Sequence, residues 1–257
     1  MKGALRELHL FAGAGGGILG GMLLGHTTVC AVEIEPYCRK VLLQRQRDGI
    51  LPRFPIWDDV RTFDGKPWRG KVDVVCGGFP CQDISVCGKG NGITGKQSSL
   101  WNDMWRIICE IRPKFAFIEN SAALTIRGGA TVISDLAQVG YNVKWGVFSG
   151  YQVGGPIQRE RMFMLCKDAR ANKKFRVNTK SNLLDKNAEK KQLWGSETFA
   201  TLLDNAKSQV PIVTGDERVV DGVANRVERF SAIGNGQIPA VAVLAWETLT
   251  EQMELAL

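Results

Sequence analysis

The sequence predicts an α/β domain built on a mostly parallel central sheet with helices on both faces. Three observations carry that expectation. From residue 5 to residue 166, short apolar runs of strand length alternate with segments of helical spacing. A glycine run, Gly13 to Gly17, follows the first apolar run as a tight strand-to-helix turn. Periodicity then fails over residues 167–223 and returns at 238–253, so a polar stretch interrupts one domain. The expected division is 1–166 for the main part, 167–223 for a small inserted segment and 224–257 for the return.

Each element follows in order. Residues 5–11 alternate towards an apolar end and read as a strand, and a short helix runs on from the glycines through Leu24. A second strand is expected at 29–34 and a helix at 36–46, opened by Pro36 in its first turn. Residues 72–76 form a buried strand, followed by a loop rich in Gly, Ser and Cys up to Ser99. Leu100, Met104, Ile107, Ile108 and Ile111 recur at helical spacing. A strand at 115–119, a helix at 130–139 and strands at 142–148 and 162–166 complete the main part. The inserted segment offers only a short strand at 210–213. The last helix opens on Gly-Asn-Gly and Pro239.

Bulk properties bound the function. A chain of 257 residues holds one sizeable α/β domain with a small appendage. No apolar run reaches the roughly 18–20 residues of a membrane span, so no membrane partner is expected. Charges at Lys2, Arg6 and Glu7 make the N-terminus a strand rather than a signal peptide. Seven scattered cysteines without a Cys-x-x-Cys pair argue against a zinc site or a disulfide framework, and for a reducing cytoplasm. The net charge of +7 favours a polyanionic partner. Residues 167–192 concentrate it, with nine Lys/Arg against Asp168, Asp185 and Glu189. A solvated surface would explain such a run equally well until its place in the chain is considered.

Glycines between a strand and a helix let main chain approach a ligand, and the helix start offers unpaired N–H groups. Glu33 ends the next strand 20 residues after Gly13, where a carboxylate can hold both hydroxyls of a ribose. These features indicate a nucleotide-like ligand. The spacing Gly13-x-Gly15-x-Gly17 departs from the dinucleotide pattern.

The stretch Gly77-Gly78-Phe79-Pro80-Cys81-Gln82-Asp83-Ile84-Ser85 sets a thiol in a glycine-rich loop at the carboxyl edge of the sheet. Here the chain resembles the cytosine-C5 DNA methyltransferase family, whose nucleophile motif is Pro-Cys-Gln. The resemblance covers most of the chain in family order. Residues 11–17 resemble the cofactor loop, 79–85 the nucleophile loop, and Glu119-Asn120 the Glu-Asn motif. Gln158-Arg159-Glu160-Arg161 resembles the Gln-x-Arg-x-Arg region, and residues 234–239 the closing Gly-Asn motif.

The resemblance implies a Rossmann-like methyltransferase fold with a small, basic target-recognition segment, and S-adenosylmethionine as cofactor. Cytosine C5 is too weak a nucleophile to take a methyl group directly. A Cys81 thiolate adding to C6 would make it an enamine carbon. Nearby cations would lower the Cys81 pKa. The resemblance gives Glu119 the ring N3 and exocyclic amine of the base, and gives Arg159 and Arg161 the orientation of the base and its phosphate. Gln82, Ser85 and Asn120 are implied on the substrate side. On the cofactor side, Gly13 and Gly15 form the turn, Phe11 stacks near the ligand, Glu33 binds ribose and Ile34 lies against adenine. Asp59 meets the adenine amine with Val60 beside it, and Pro80, Leu100 and Asn235 close the site. Cys30, Cys76, Cys109 and Cys166 read as structural.

Both reacting carbons lie inside the base stack, so base flipping is implied, with the loop 85–99 closing over double-stranded DNA. The basic stretch falls where the family reads its target, which makes DNA contact its favoured role. A monomer in the cytoplasm of a bacterial or phage-infected cell is expected, with no metal, and with a cognate restriction endonuclease as a candidate partner. Departures are Ser121 after Glu119-Asn120, where Val is more usual, a recognition segment under 60 residues, and a faint arginine-led motif at 225–229. They suggest a relaxed or very short target site. Methylation of transfer RNA, a non-catalytic DNA-binding homologue and a nicotinamide-dependent oxidoreductase remain as alternatives. The last gives no role to Pro80-Cys81 or Glu119-Asn120.

Overall fold

Residues 4–80, 100–171 and 236–255 are described by the structure, a computed structural model. In chain order these are β1 (Arg6–Leu10), α1 (Gly16–Leu23), β2 (Thr27–Val32), α2 (Pro36–Arg47), β3 (Ile56–Trp57) and β4 (Val74–Gly77). Then come α3 (Leu100–Ile111), β5 (Phe115–Ser121), α4 (Gly129–Gln138), β6 (Tyr141–Phe148), β7 (Arg161–Asp168) and α5 (Pro239–Glu254). The strands form one sheet in the order β3-β2-β1-β4-β5-β7-β6. β1, β2, β3, β4 and β5 pair in parallel, while β7 runs antiparallel to both β5 and β6. The expected α/β class and mostly parallel sheet are what the chain adopts.

Differences from the sequence expectation are local. β3 is an addition to the expected strands; two residues preceded by Pro52 and Pro55 are too short to carry a period. β1 stops at Leu10 because Phe11 turns to φ 53°. β7 continues to Asp168, past the 166/167 boundary, and Arg112 anchors that carboxylate at 3.1 Å. The proposed strand at 210–213, and most of the inserted segment, lie outside the described residues.

Alternation along the strands divides the core. Leu8, Val75, Ala116 and Ile118 face α3, whose Met104, Ile107, Ile108 and Ile111 are fully buried against them. Phe115, Phe117 and Phe163 face α5, where the Trp246 ring lies 5.6 Å from Phe115 and 5.3 Å from Phe117. α1 packs beside α5 at Gly20, where a Cβ would come within 3.1 Å of that of Ala242. A side chain there would force the two helices apart by a few tenths of an ångström.

A buried polar cluster interrupts the α5 face. His9 Nε2 and His26 Nδ1 donate to the two oxygens of Glu7 at 2.9 and 2.7 Å. Burial works against the charge of Glu7, but the hydrogen bonds from His26 and His9 outweigh it and bring the carboxyl down to about 2. A Cβ on Gly21 would collide with this carboxylate, so α1 admits the charge only because it carries glycine there. Cys76 completes a group with Glu7 and His9 whose ligand-type atoms lie within 4.8 Å of one another. Chain spacing gave no sign of it, since β1 and β4 bring it together. The histidine N–H groups already satisfy the carboxylate.

Candidate active site

The strand ends of β1 and β2 build one side of the site. Phe11, Gly13 and Gly15 all take positive φ, at 53°, 55° and 94°. The two glycines adopt this without strain, whereas Phe11 costs about 1 kcal/mol to hold there. Gly15 is the N-cap of α1, so the turn delivers the unpaired N–H groups of a helix start to the carboxyl edge of the sheet. Glu33, buried at the end of β2, accepts from Gly13 N at 2.6 Å and from Glu35 N at 2.7 Å. Its carboxylate thus ties the glycine turn to the start of α2.

Ile34 and Trp57 project beside Glu33, 57% and 47% exposed, as an apolar surface unusual for side chains of this size. Glu33 N donates to Trp57 O at 2.9 Å, which ties the main chain of Trp57 to that of Glu33, while the indole itself donates to Thr62 Oγ1 at 3.0 Å. Trp57 was not among the sequence candidates, because only the β2–β3 pairing brings it there. Asp59 turns to Arg61, whose Nη2 approaches to 2.7 Å. Hydrogen bonds from Arg61 hold its carboxyl below the usual range. Val60 is buried in the core rather than lining a surface, and its carbonyl accepts from Arg106 at 2.9 Å.

The loop that leads towards Cys81 leaves β4 after Gly77 through Gly78 and buried Phe79, which packs against Trp101 with ring centroids 5.3 Å apart. Asn120 Nδ2 donates to Phe79 O at 2.9 Å, and Ser121 N donates to Asn120 Oδ1 at 2.8 Å. Buried Asn120 is thus a strut for the start of this loop. Pro80 is exposed at the end of the described loop, and Leu100 is half-buried at the start of α3. Cys81, Gln82 and Ser85, and Asn235 in the closing motif, lie outside the described residues.

Glu119 stands on the opposite face of β5 from Asn120, as alternation requires. Gly78 packs so closely on its carboxylate that any side chain there would collide with Oε2. Arg161 Nε meets Oε1 at 3.0 Å, from the first residue of β7. Burial raises the Glu119 carboxyl above its ordinary range, against the opposing pull of Arg161, Arg159 and a hydrogen bond from Gln237. Arg159 takes an unusual φ of 29°, and its Nη2 donates to Gly236 O at 2.7 Å. Burial and the charge of Arg161 lower its pKa, partly offset by Glu119. Arg159 thus grips the main chain before α5, while Arg161 meets the carboxylate.

The thiols sort themselves by burial. Cys30, Cys38, Cys76, Cys109 and Cys166 all have raised pKa values, with Cys30 pushed up to about 12 and Cys38 to about 11. Desolvation is the leading cause in each. None of these five can supply a thiolate readily at neutral pH.

Comparison with known proteins agrees with this geometry. The chain is 32% identical over 163 residues to the type II methyltransferase M.CviJI of Paramecium bursaria Chlorella virus IL3A, covering 63% of this chain and 43% of that protein. It is 29% identical over 166 residues to M.HhaI of Haemophilus parahaemolyticus, covering 63% and 49%. The chain thus spans less than half the length of each. Among solved structures, it resembles an Escherichia coli prophage product described as a DNA modification methyltransferase, at TM-score 0.50 and 21% identity, covering 64% of this chain and 47% of that one. It also resembles a mutant Dnmt2 of Spodoptera frugiperda, at TM-score 0.53 and 17% identity, covering 69% and 54%. The likeness to both structures extends to the fold. The profile of the C-5 cytosine-specific DNA methylases matches residues 5–240, and the chain belongs to that family.

Proposed function

We propose that this protein transfers a methyl group from S-adenosylmethionine to carbon 5 of a cytosine in DNA, with Cys81 as nucleophile. The observation that carries the reading is the Glu119 carboxyl. It is buried, raised above the ordinary carboxylate range by that burial and paired with Arg161, and it is wedged against the Gly78-Phe79-Pro80 loop that leads directly into Cys81.

The residues present suit the cofactor. Gly13 and Gly15 make a turn that any side chain would strain, Glu33 offers a fixed carboxylate for hydroxyl groups, and Ile34 with Trp57 offers an apolar flank for a purine. The cofactor would supply an electrophilic methyl group on a sulfonium. Cys81 would add as thiolate to C6 of a base held out of the duplex, and the ring electrons so released make C5 the attacking atom. Glu119 would share its proton with ring N3 as the thiolate adds, which neutralises the charge that builds there. Arg161 keeps that carboxyl aimed. After methyl transfer, loss of the C5 proton to water, expulsion of the thiolate and return of the N3 proton to Glu119 would restore the aromatic ring and the enzyme. Asn120 positions the loop for both thiol steps.

Duplex DNA as partner, recognition through the basic segment 167–223, a short or relaxed target site and action as a monomer belong to the same reading. Nine Lys/Arg in 167–192 suit contacts to phosphates. Incubation with the cofactor and duplex DNA containing 5-fluorocytosine tests the proposal, because fluorine cannot leave as a cation and the covalent adduct persists. A trapped complex that Cys81→Ser abolishes is expected. A complex that survives this substitution refutes the mechanism, and label transferred to transfer RNA rather than DNA refutes the substrate.

A further inference from the structure

Gln237 has no role in the reaction as derived so far, yet it touches more of the site's parts than its place within the closing motif suggests. Its main chain sits directly on the first turn of α1. A Cβ on Gly16 would collide with its carbonyl oxygen and come within 3.2 Å of its nitrogen. Its side chain then crosses the sheet edge. Oε1 lies 2.6 Å from where a Cβ on Gly17 would stand, and Nε2 lies 3.6 Å from the corresponding position on Gly78. There it meets the Glu119 carboxylate, whose Oε2 crowds the same position on Gly78, and the amide favours the ionised form of that carboxyl. Arg159 secures the segment by donating to Gly236 O at 2.7 Å.

We propose that Gln237 is a positioning residue for Glu119, fixing its carboxyl between the cofactor turn and the nucleophile loop. The groups that face Glu119 make the division of labour plain. Arg161 from β7 takes Oε1, Gly78 from the β4 loop blocks one side without a side chain, and Arg159 supplies charge from behind. Gln237 is the one neutral partner among these, and it spans from Glu119 to the helix start that borders the cofactor turn. An amide of this length fits where a carboxylate would repel Glu119 and an aliphatic side chain would leave a buried oxygen unpaired. Seating of residues 236–238 on α1 and alignment of Glu119 are therefore one event. This adds a residue role to the proposed methyl transfer and rests on that reading.

The test titrates Glu119 in the intact, ligand-free protein by carbon-13 NMR of labelled glutamate, with Glu119→Gln identifying the resonance. A hydrogen bond to the ionised form is lost in Gln237→Leu, so the Glu119 titration should move to higher pH, and further still in Gln237→Glu. Single-turnover methyl transfer should fall about tenfold or more in Gln237→Leu, with KM for S-adenosylmethionine changed less than about threefold. A Glu119 titration unchanged in Gln237→Leu overturns the proposal. Should that variant fail to fold, Gln237→Asn, too short to reach, must show the same upward shift or the proposal is equally overturned. Absence of methyl transfer by the parent chain would refute the proposed function, while the titration would still decide the role of Gln237.

Discussion

Asn120 Nδ2 reaches from the end of β5 to the main-chain oxygen of Phe79, 2.9 Å away and 41 residues earlier in the chain. The bond is buried and fixes the departure of the nucleophile loop. Asn120→Ala leaves that carbonyl unpaired. We expect a loss of about 1–3 kcal/mol in unfolding free energy and a fall of about 10- to 100-fold in kcat, with KM for DNA little changed. Denaturant unfolding and steady-state kinetics measure both, and a full-rate Asn120→Ala enzyme would remove the strut from the mechanism.

Glu119 is held against its own preference. Its pKa in the folded chain is raised above the unfolded value, chiefly by burial, so its contribution to stability is complete at low pH. That contribution is lost as pH rises through the folded pKa. Glu119→Gln, neutral at every pH, should therefore equal the parent chain in stability near pH 4 and exceed it at pH 8, while methyl transfer disappears. Thermal unfolding at the two pH values checks the sign.

Glu7 behaves in the opposite sense. With its carboxyl brought down to about 2 from an ordinary 4.5, the contribution is present above pH 4.5 and fades as pH falls towards 2. Glu7→Gln should lower stability at pH 7 by about 3 kcal/mol and flatten the acid dependence in that window. Urea titrations between pH 2 and 7 would show it. Equal acid dependence in parent and variant would mean that the His9–Glu7–His26 cluster is not charged as described.

Trp57 tests the cofactor side. Its indole donates to Thr62 Oγ1 at 3.0 Å, meets the Phe63 ring edge-on and stays half-exposed. Trp57→Ala should weaken S-adenosylmethionine binding about 5- to 10-fold, near 1 kcal/mol, without altering the Glu119 titration. Calorimetry on the ligand-free protein decides it.

Thiol chemistry gives a further check. The five buried or half-buried thiols have raised pKa values, so a limiting dose of iodoacetamide at pH 7.5 should modify the remaining two, Cys81 and Cys87, before any of them. Peptide mapping would show Cys30 and Cys166 spared. First modification at any of the five would contradict the burial argument.

The sequence alone determined the α/β class, because strand and helix periods are local and each apolar run reports its own face. It likewise determined the glycine turn, Glu33 and the Glu119-Asn120 pair, whose chemistry depends on contiguous residues at strand ends. Which way neighbouring side chains divide was decided by tertiary structure. Pairing of β5 with β7 set Arg161 on Glu119 and left Arg159 to the main chain of Gly236. Packing of Phe79 made Asn120 a strut, and the two-residue β3 brought Trp57 to Glu33. Gln237 reaches Glu119 across 118 positions of sequence, and Glu7 meets His26 only through the turn of α1 into β2. Such contacts arise from register and helix docking, which sum over the whole core, so no local pattern announces them.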